Sequence, residues 1–335
     1  MMRDRAARSR NGLTGARDPG HPVGDPRIHI SRAGLRALEH QGRSLRLLPR
    51  QPAESVLNGR HASRLRGRGL NFEELREYLP GDDPRTIDWK VTARTGVPHV
   101  RVHTEERDRP VLLLVDQRMS MYFGTRHNMK SVTAAEAAAL IAYRVLDQGD
   151  RVGGIVFGDE TVAEIRPRKN RKTLDQLLLA LERANHALAA DAPLVEPAMS
   201  LNQPLEAAMR IARRNHMVVV LSDFDEIDAQ TEMMVGALAR RNDLILCPVT
   251  DPISQDVPDG FKLVVSNGAL QIELDSASAQ TSRSLRTFAS DRLTRMLSWQ
   301  KRFGVPVLPL SAGEETLPQV LRLTGHRPIV RGHGA

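Results

Sequence analysis

Val111-Leu112-Leu113-Leu114-Val115-Asp116-Gln117-Arg118-Met119-Ser120 joins five consecutive aliphatic residues to an acid and a short polar run. Five aliphatics without alternation predict a strand buried on both faces, as in a parallel sheet covered by helices on either side. Ligand sites in such sheets lie beyond the carboxyl ends of the strands, so Asp116 to Ser120 fall where recognition or chemistry is placed.

Downstream, strand and helix patterns alternate as in a doubly wound sheet. An alanine-rich helix is expected over residues 129–146, closed by Gly149-Asp150. Residues 151–157 and 161–165 read as strands joined by the tight turn Gly158-Asp159-Glu160, which makes one edge strand antiparallel. Helices are predicted at 174–186, 204–214 and 231–241, and buried strands at 217–221 and 244–249. A hairpin at 261–265 and 269–274 turns on Asn267-Gly268. A basic helix at 282–303, a strand at 305–310 and a helix near 316–323 complete the unit.

Upstream, residues 1–27 are rich in Arg, Gly, Pro and Asp and are expected to form a disordered basic leader. Residues 28–48 space Leu35, Leu38, Leu45 and Leu48 for one or two short helices, with Ser31 as N-cap. In residues 67–108, Phe72 to Tyr78 reads as one or two helical turns, and Leu79 to Pro84 as a turn. Residues 86–93 and 99–105 read as a β-hairpin leading into the strand at Val111. The organisation is therefore a leader over 1–27, a helix and β-rich unit over 28–108, an α/β domain over 109–325 and a tail over 326–335.

At 335 residues the chain accommodates one α/β domain of about 200 residues with additions. The single cysteine, Cys247, allows no internal disulfide, and no apolar run reaches the roughly 18 residues that cross a bilayer. Residues 1–10 lack the apolar core of a signal peptide, so a soluble cytoplasmic protein is expected. The net charge is +8, but residues 1–66 hold 14 Arg against 5 acids, a net +9, and everything after them sums to −1. The leader could touch nucleic acid or an acidic membrane surface, though it has no interleaved aromatics to stack bases. Arg166-x-Arg168-Lys169-x-Arg171-Lys172 is a second basic run, read as a solvated loop able to meet an acidic partner.

Two buried strands end in polar clusters, Asp116 to Ser120 and Ser222-Asp223-Phe224-Asp225. A parallel sheet brings both to one edge, so Asp116, Ser120, Ser222, Asp223 and Asp225 form an oxygen-rich set of the type that holds Mg²⁺. No phosphate-binding glycine motif is present, so ATP hydrolysis is not expected. The histidines His127, His186 and His216 are not spaced as metal ligands.

With Asp closing the first strand and Leu-Ser-Asp closing a later one, the domain resembles a von Willebrand factor A domain. The block Phe72-Glu73-x-Leu75-Arg76-x-Tyr78-x-Pro80-Gly81-Asp82-Asp83-x-Arg85-x-Ile87-Asp88-Trp89, with Gly67-x-Gly69 before it and Ala93-Arg94 after it, narrows the likeness. It is similar to the signature of the domain of unknown function 58 family, von Willebrand A-like proteins often associated with MoxR-type AAA+ ATPases. The resemblance implies a metal-ion-dependent adhesion site at Asp116, Ser120 and Asp223.

Two departures from that pattern follow. Arg118 stands where the first motif serine is expected, and Asn202 or Gln203 where the threonine is expected. Arginine is a permanent cation that only donates, so it cannot ligate Mg²⁺. Arg118 then either replaces the metal's charge, pairing with Asp116 or Asp223 or with a partner's carboxylate, or points to solvent. The signature block likewise has two readings. Trp89 and Tyr78 fill a small core with Arg85 or Arg94 against them, or Arg76, Asp82, Asp83, Arg85, Trp89 and Arg94 form a docking face.

The expected function is that of an interaction module without enzymatic activity or an obligatory cofactor. It would be an adaptor for a MoxR-type ATPase and an unidentified client in complex maturation or metal insertion, with Arg118, Gln203 and Asp225 on the recognition face. The alternatives are a Mg²⁺-dependent hydrolase using Asp116, Asp223 and Asp225, and nucleic-acid binding by the leader.

Overall fold

In a computed structural model of the chain, residues 24–45, 70–80, 82–105, 109–160, 162–190, 195, 198–254, 262–266, 271–275 and 279–323 are described. The leader up to residue 23, Leu48, Gly67, Gly69, Gly81, the Asn267-Gly268 turn and the tail from 326 lie outside them.

Two short helices open the described chain, α1 (Arg32–Ala37) and α2 (Glu39–Ser44). Ser31 caps α1 as expected, its Oγ accepting from the Gly34 N–H at 3.0 Å. Leu35 and Leu45 are buried in the core of the main domain, so this segment is part of that domain's packing.

The following unit departs from expectation. Residues 70–77 form a strand, β1 (Leu70–Glu77), where helical turns were predicted. Its register slips between Phe72 and Glu74, which breaks the two-residue alternation by which a strand is recognised. Residues 86–93, predicted as a strand, instead give a 3₁₀ turn at Pro84–Thr86 and the helix α3 (Trp89–Thr95). Asp88 Oδ1 caps that helix, accepting from Lys90 N–H at 3.0 Å and Val91 N–H at 3.2 Å, and Gly96 ends it at φ 78°. The two caps outweigh the β-branched residues between them. The strand β2 (His99–Glu105) forms as predicted, but its antiparallel partner is β1.

The main sheet has six strands in the order β10-β7-β6-β3-β4-β5. They are β3 (Pro110–Asp116), β4 (Arg151–Phe157), β5 (Val162–Arg168), β6 (Met217–Ser222), β7 (Asp243–Thr250) and β10 (Leu310–Ser311). All neighbours run parallel except β5, the antiparallel edge. The strand predicted at 305–310 is reduced to β10 and a bridge from Val307 to Leu246.

Central β3 is buried on both sides. Val111, Leu113 and Val115 enter one core with α4 (Lys130–Asp147), α5 (Arg171–His186) and α9 (Thr316–Leu323). Leu112 and Leu114 enter the other, with α6 (Asn202–Ile211), α7 (Ala229–Ala239) and α8 (Ala279–Phe303). The alanines of α4 are buried without exception, which seats that helix close to the sheet. A separate hairpin pairs β8 (Lys262–Ser266) with β9 (Gln271–Asp275). None of the helices in the described residues is long and apolar enough to cross a membrane.

Candidate functional site

Because β3 and β6 are parallel neighbours with Val115 beside Leu221, their last residues emerge together. Asp116, Arg118, Ser222 and Asp223 meet there, each buried to 4% exposure or less. Ser120 stands beside them. The turn that carries Arg118 and Ser120 is held from β4's side, where Gln117 N–H donates to Phe157 O at 2.7 Å and Met119 N–H to Asp159 Oδ2 at 2.7 Å.

Arg118 turns inward, which removes the solvent-pointing reading. Its Nε donates to Asp116 at 3.1 and 3.2 Å, its Nη2 to Asp116 Oδ2 at 2.8 Å and its Nη1 to the Met199 carbonyl at 3.0 Å. Nη2 also lies 3.8 Å from Asp223 Oδ1, and the guanidinium rests 5.8 Å from the Phe157 ring centre. Ser222 Oγ donates to the same Asp116 Oδ2 at 2.6 Å. At 4% exposure Arg118 is not available to a partner's carboxylate.

Asp223 takes the second cation. Lys130 Nζ, from the start of α4, donates to Asp223 Oδ2 at 2.7 Å, and Ser120 Oγ reaches Oδ1 only at 3.4 Å. Asp225 pairs with Arg292 of α8 at 2.5 Å, and the same arginine donates to the Asp223 carbonyl at 2.8 Å. Phe224 and Glu226 lie at positive φ of 54° and 56°, so this loop holds two non-glycine residues in the left-handed region. Three carboxylates, Asp116, Asp223 and Asp225, thus face three cations, Arg118, Lys130 and Arg292.

Burial pushes the Asp116 carboxyl up, against the pull of the Arg118 guanidinium. Burial acts on Asp223 in the same sense, but Lys130 and then Arg118 outweigh it and hold that carboxyl at about 2. Burial also opposes the charge of Arg118, yet Asp116 and Asp223 raise its pKa above the ordinary arginine value.

The donors do not suit Mg²⁺ as arranged. The ion takes oxygen ligands in near-octahedral geometry, whereas here a guanidinium and an ammonium occupy the carboxylate oxygens that would bind it. The loop expected to supply a threonine contributes its Met199 carbonyl to Arg118. Gln203 accepts from Ser200 Oγ at 2.8 Å, and Asn202 is engaged with Asp228 and Thr231. Sequence reasoning passed over Lys130, Met199 and Arg292, which come from a helix start, a loop carbonyl and a helix about seventy residues further on.

The signature block separates into two groups. Asp82 and Asp83 build the turn: Asp82 accepts from Arg76 at 2.8 Å through both guanidinium nitrogens and from Leu79 N–H at 2.9 Å, and Asp83 Oδ1 accepts from Arg85 N–H at 3.0 Å. Arg76 holds the Asp82 carboxyl at about 2. Arg85, Trp89 and Arg94 are exposed. Trp89, which one of the two readings placed in a small core, is 68% exposed, and Leu79 and Val97 are exposed with it. A helix start at Asp88 turns the indole outward where a strand would have offered it a facing sheet. Cys247 is buried in β7 with its thiol pushed up to about 12 by burial, which makes it an inert packing residue.

The architecture is that of a mixed α/β protein, with a mostly parallel six-stranded sheet between helices and a small antiparallel sheet ahead of it. The chain belongs to the family described as "Protein of unknown function DUF58", which matches residues 74–295. Uncharacterized proteins of Mycobacterium bovis and Mycobacterium tuberculosis are each 29% identical over 293 residues, covering 85% of this chain and 88% of their own length. Among solved structures, the conserved hypothetical protein BatB from Bacteroides thetaiotaomicron aligns at a TM-score of 0.38 and 10% identity, over 64% of this chain and 95% of its own. The RO (RSR) protein of Deinococcus radiodurans aligns at 0.27 and 13%, over 53% and 34%. At these scores nothing about this chain follows from either.

Proposed function

We propose that this protein works by binding, as a cytoplasmic adaptor that joins a MoxR-type AAA+ ATPase to a client in complex maturation or metal insertion. The main domain is read as von Willebrand A-like, with Arg118 and Lys130 supplying the positive charge that a metal supplies at an intact adhesion site. The signature unit is the surface for the ATPase, and the cation-filled cluster holds the strand ends in place beneath the recognition face.

The observation that carries the reading is the exposure of Trp89, at 68%, in a chain with only two tryptophans. Leu79 and Val97 lie around the same point, because Tyr78 N–H donates to Pro98 O and Asp88 N–H to His99 O, both at 2.8 Å. An exposed tryptophan among aliphatics, with Arg85, Lys90 and Arg94 in the same short stretch, has the composition of an interface anchor.

Affinity capture of the full chain from its native lysate, with and without ATP, tests the reading. Recovery of an AAA+ ATPase is expected, with loss of it in Trp89→Ala and no change in thermal midpoint. Failure of the parent chain to retain any AAA+ ATPase in either condition overturns it. The charge-replacement reading is tested on Arg118→Ser/Lys130→Ala, which should gain Mg²⁺ binding at a roughly millimolar constant by calorimetry. No heat in the doubly substituted protein would count against it.

A further inference from the structure

The sum of −1 for the residues after 66 conceals a separation of charge that the topology creates. In a parallel sheet every strand begins at the same end, so the segments that enter β4, β6 and β7 meet there, and antiparallel β5 ends there. Those segments carry Arg168 and Lys169, Arg213 and Arg214, and Arg240 and Arg241. All six side chains are exposed.

Their proximity rests on direct contacts. Arg168 lies beside Val152 in the β4–β5 register, and the Lys169 ammonium leans over Gly149, where an added Cβ would lie 2.9 Å from it. Asn215 N–H donates to Arg241 O at 2.9 Å, Asp243 N–H to His216 O at 2.9 Å and His216 N–H to Asn242 Oδ1 at 3.0 Å, which ties the segments before β6 and β7 together.

The acids at this end are already engaged. Asp243 is paired with Arg109, Asp150 Oδ1 accepts from Arg109 N–H at 3.1 Å, and Asp147 accepts from Arg144 at 3.1 Å. Glu164, further along β5, pairs with Arg210 at 2.7 Å. Among the described residues the six cations make no ion pair. Spaced by strands about 4.8 Å apart, they spread over roughly 20 Å of the sheet end.

We propose that this end of the sheet, opposite the Asp116 cluster, is a docking face for the surface of a bilayer that carries anionic phospholipid. Five of the six cations are arginines, whose planar fork matches a phosphate. Arg168 closes β5 and the other five lie on the connections at the same end of the sheet, with no exposed aromatic side chain among them to stack a base, so a planar array of headgroup phosphates fits better than a single-stranded nucleic acid. The inference is independent of the adaptor reading.

Co-sedimentation of the full-length protein with vesicles of phosphatidylcholine, alone or mixed with phosphatidylglycerol, tests it. Binding is expected only to the mixed vesicles and should fall as salt is raised. Arg213→Glu/Arg214→Glu/Arg240→Glu/Arg241→Glu should lose at least about tenfold in partition coefficient. The same change in net charge in the leader, Arg3→Glu/Arg5→Glu/Arg8→Glu/Arg10→Glu, should lose less. If the charge-reversed face does not fold, glutamine at the same four positions gives the same comparison. The proposal is overturned if the parent chain ignores the mixed vesicles, if the leader substitutions abolish binding while the face substitutions do not, or if polyuridylic acid displaces the protein from vesicles through those four arginines.

Discussion

At the ends of β3 and β6, Asp116, Arg118, Lys130 and Asp223 are withdrawn from water and bonded to one another, whereas in the signature unit Leu79, Trp89 and Val97 remain exposed. The first region places charge where apolar groups belong, and the second places apolar groups where charge belongs. A buried ion pair contributes little net stability but makes each partner costly to remove. An exposed indole contributes little to folding but much to association. The strand-end cluster is therefore tied to folding, whereas the signature unit, under the proposed reading, serves binding, and substitutions should separate the two.

The largest effect is expected from Arg118→Met, which leaves Asp116 buried without its cation. Denaturant unfolding should show a loss of about 3 to 5 kcal/mol. A loss below about 1 kcal/mol would mean that the cluster is open to water and unlike the signature unit in degree only. Next is the acid response of Asp223. Its carboxyl ordinarily titrates at 3.8 and is held at about 2 in the fold, so its stabilisation is complete above 3.8 and lost as pH falls through about 2. That difference corresponds to about 2 kcal/mol. Asp116 is shifted the other way and opposes it. Unfolding free energy followed between pH 5 and pH 2 should therefore fall less steeply in Asp223→Asn than in the parent.

Smaller effects belong to the signature unit. Asp88→Ala removes the cap of α3 and should cost about 1 kcal/mol, read as loss of helical ellipticity and a lower unfolding midpoint. Trp89→Ala should change stability by less than about 0.5 kcal/mol, because the ring has little packing to lose. If it instead cost several kcal/mol, the indole would be a core residue and the contrast between the two regions would collapse.

Legibility in the sequence followed the range of the determining interactions. Val111 to Val115 announced a doubly buried strand, and every residue of that run is indeed at 0% exposure. The polar strand ends, the alanine face of α4, the antiparallel edge at β5 and the Ser31 cap were all readable, since each is a local pattern. β1 was not, because its bulge hides the alternation and its partner lies about thirty residues away. α3 could have been found from Asp88 and Gly96, the cap signals at its two ends, had they been weighed above β-propensity. At the site, Asp116, Arg118 and Asp223 were visible, whereas Lys130 and Arg292 carry no local mark of their role.

The sequence by itself determined the α/β class, the meeting of two polar strand ends on one edge of the sheet and the presence of Arg118 between Asp116 and Ser120, because strand burial and residue type are local properties. Only the tertiary structure decided that Arg118 points inward to Asp116, that Trp89 faces water, and that arginines from three separate segments gather at the opposite end of the sheet. Those outcomes depend on which distant groups share a low-dielectric space or a common strand end, and chain spacing does not encode that proximity.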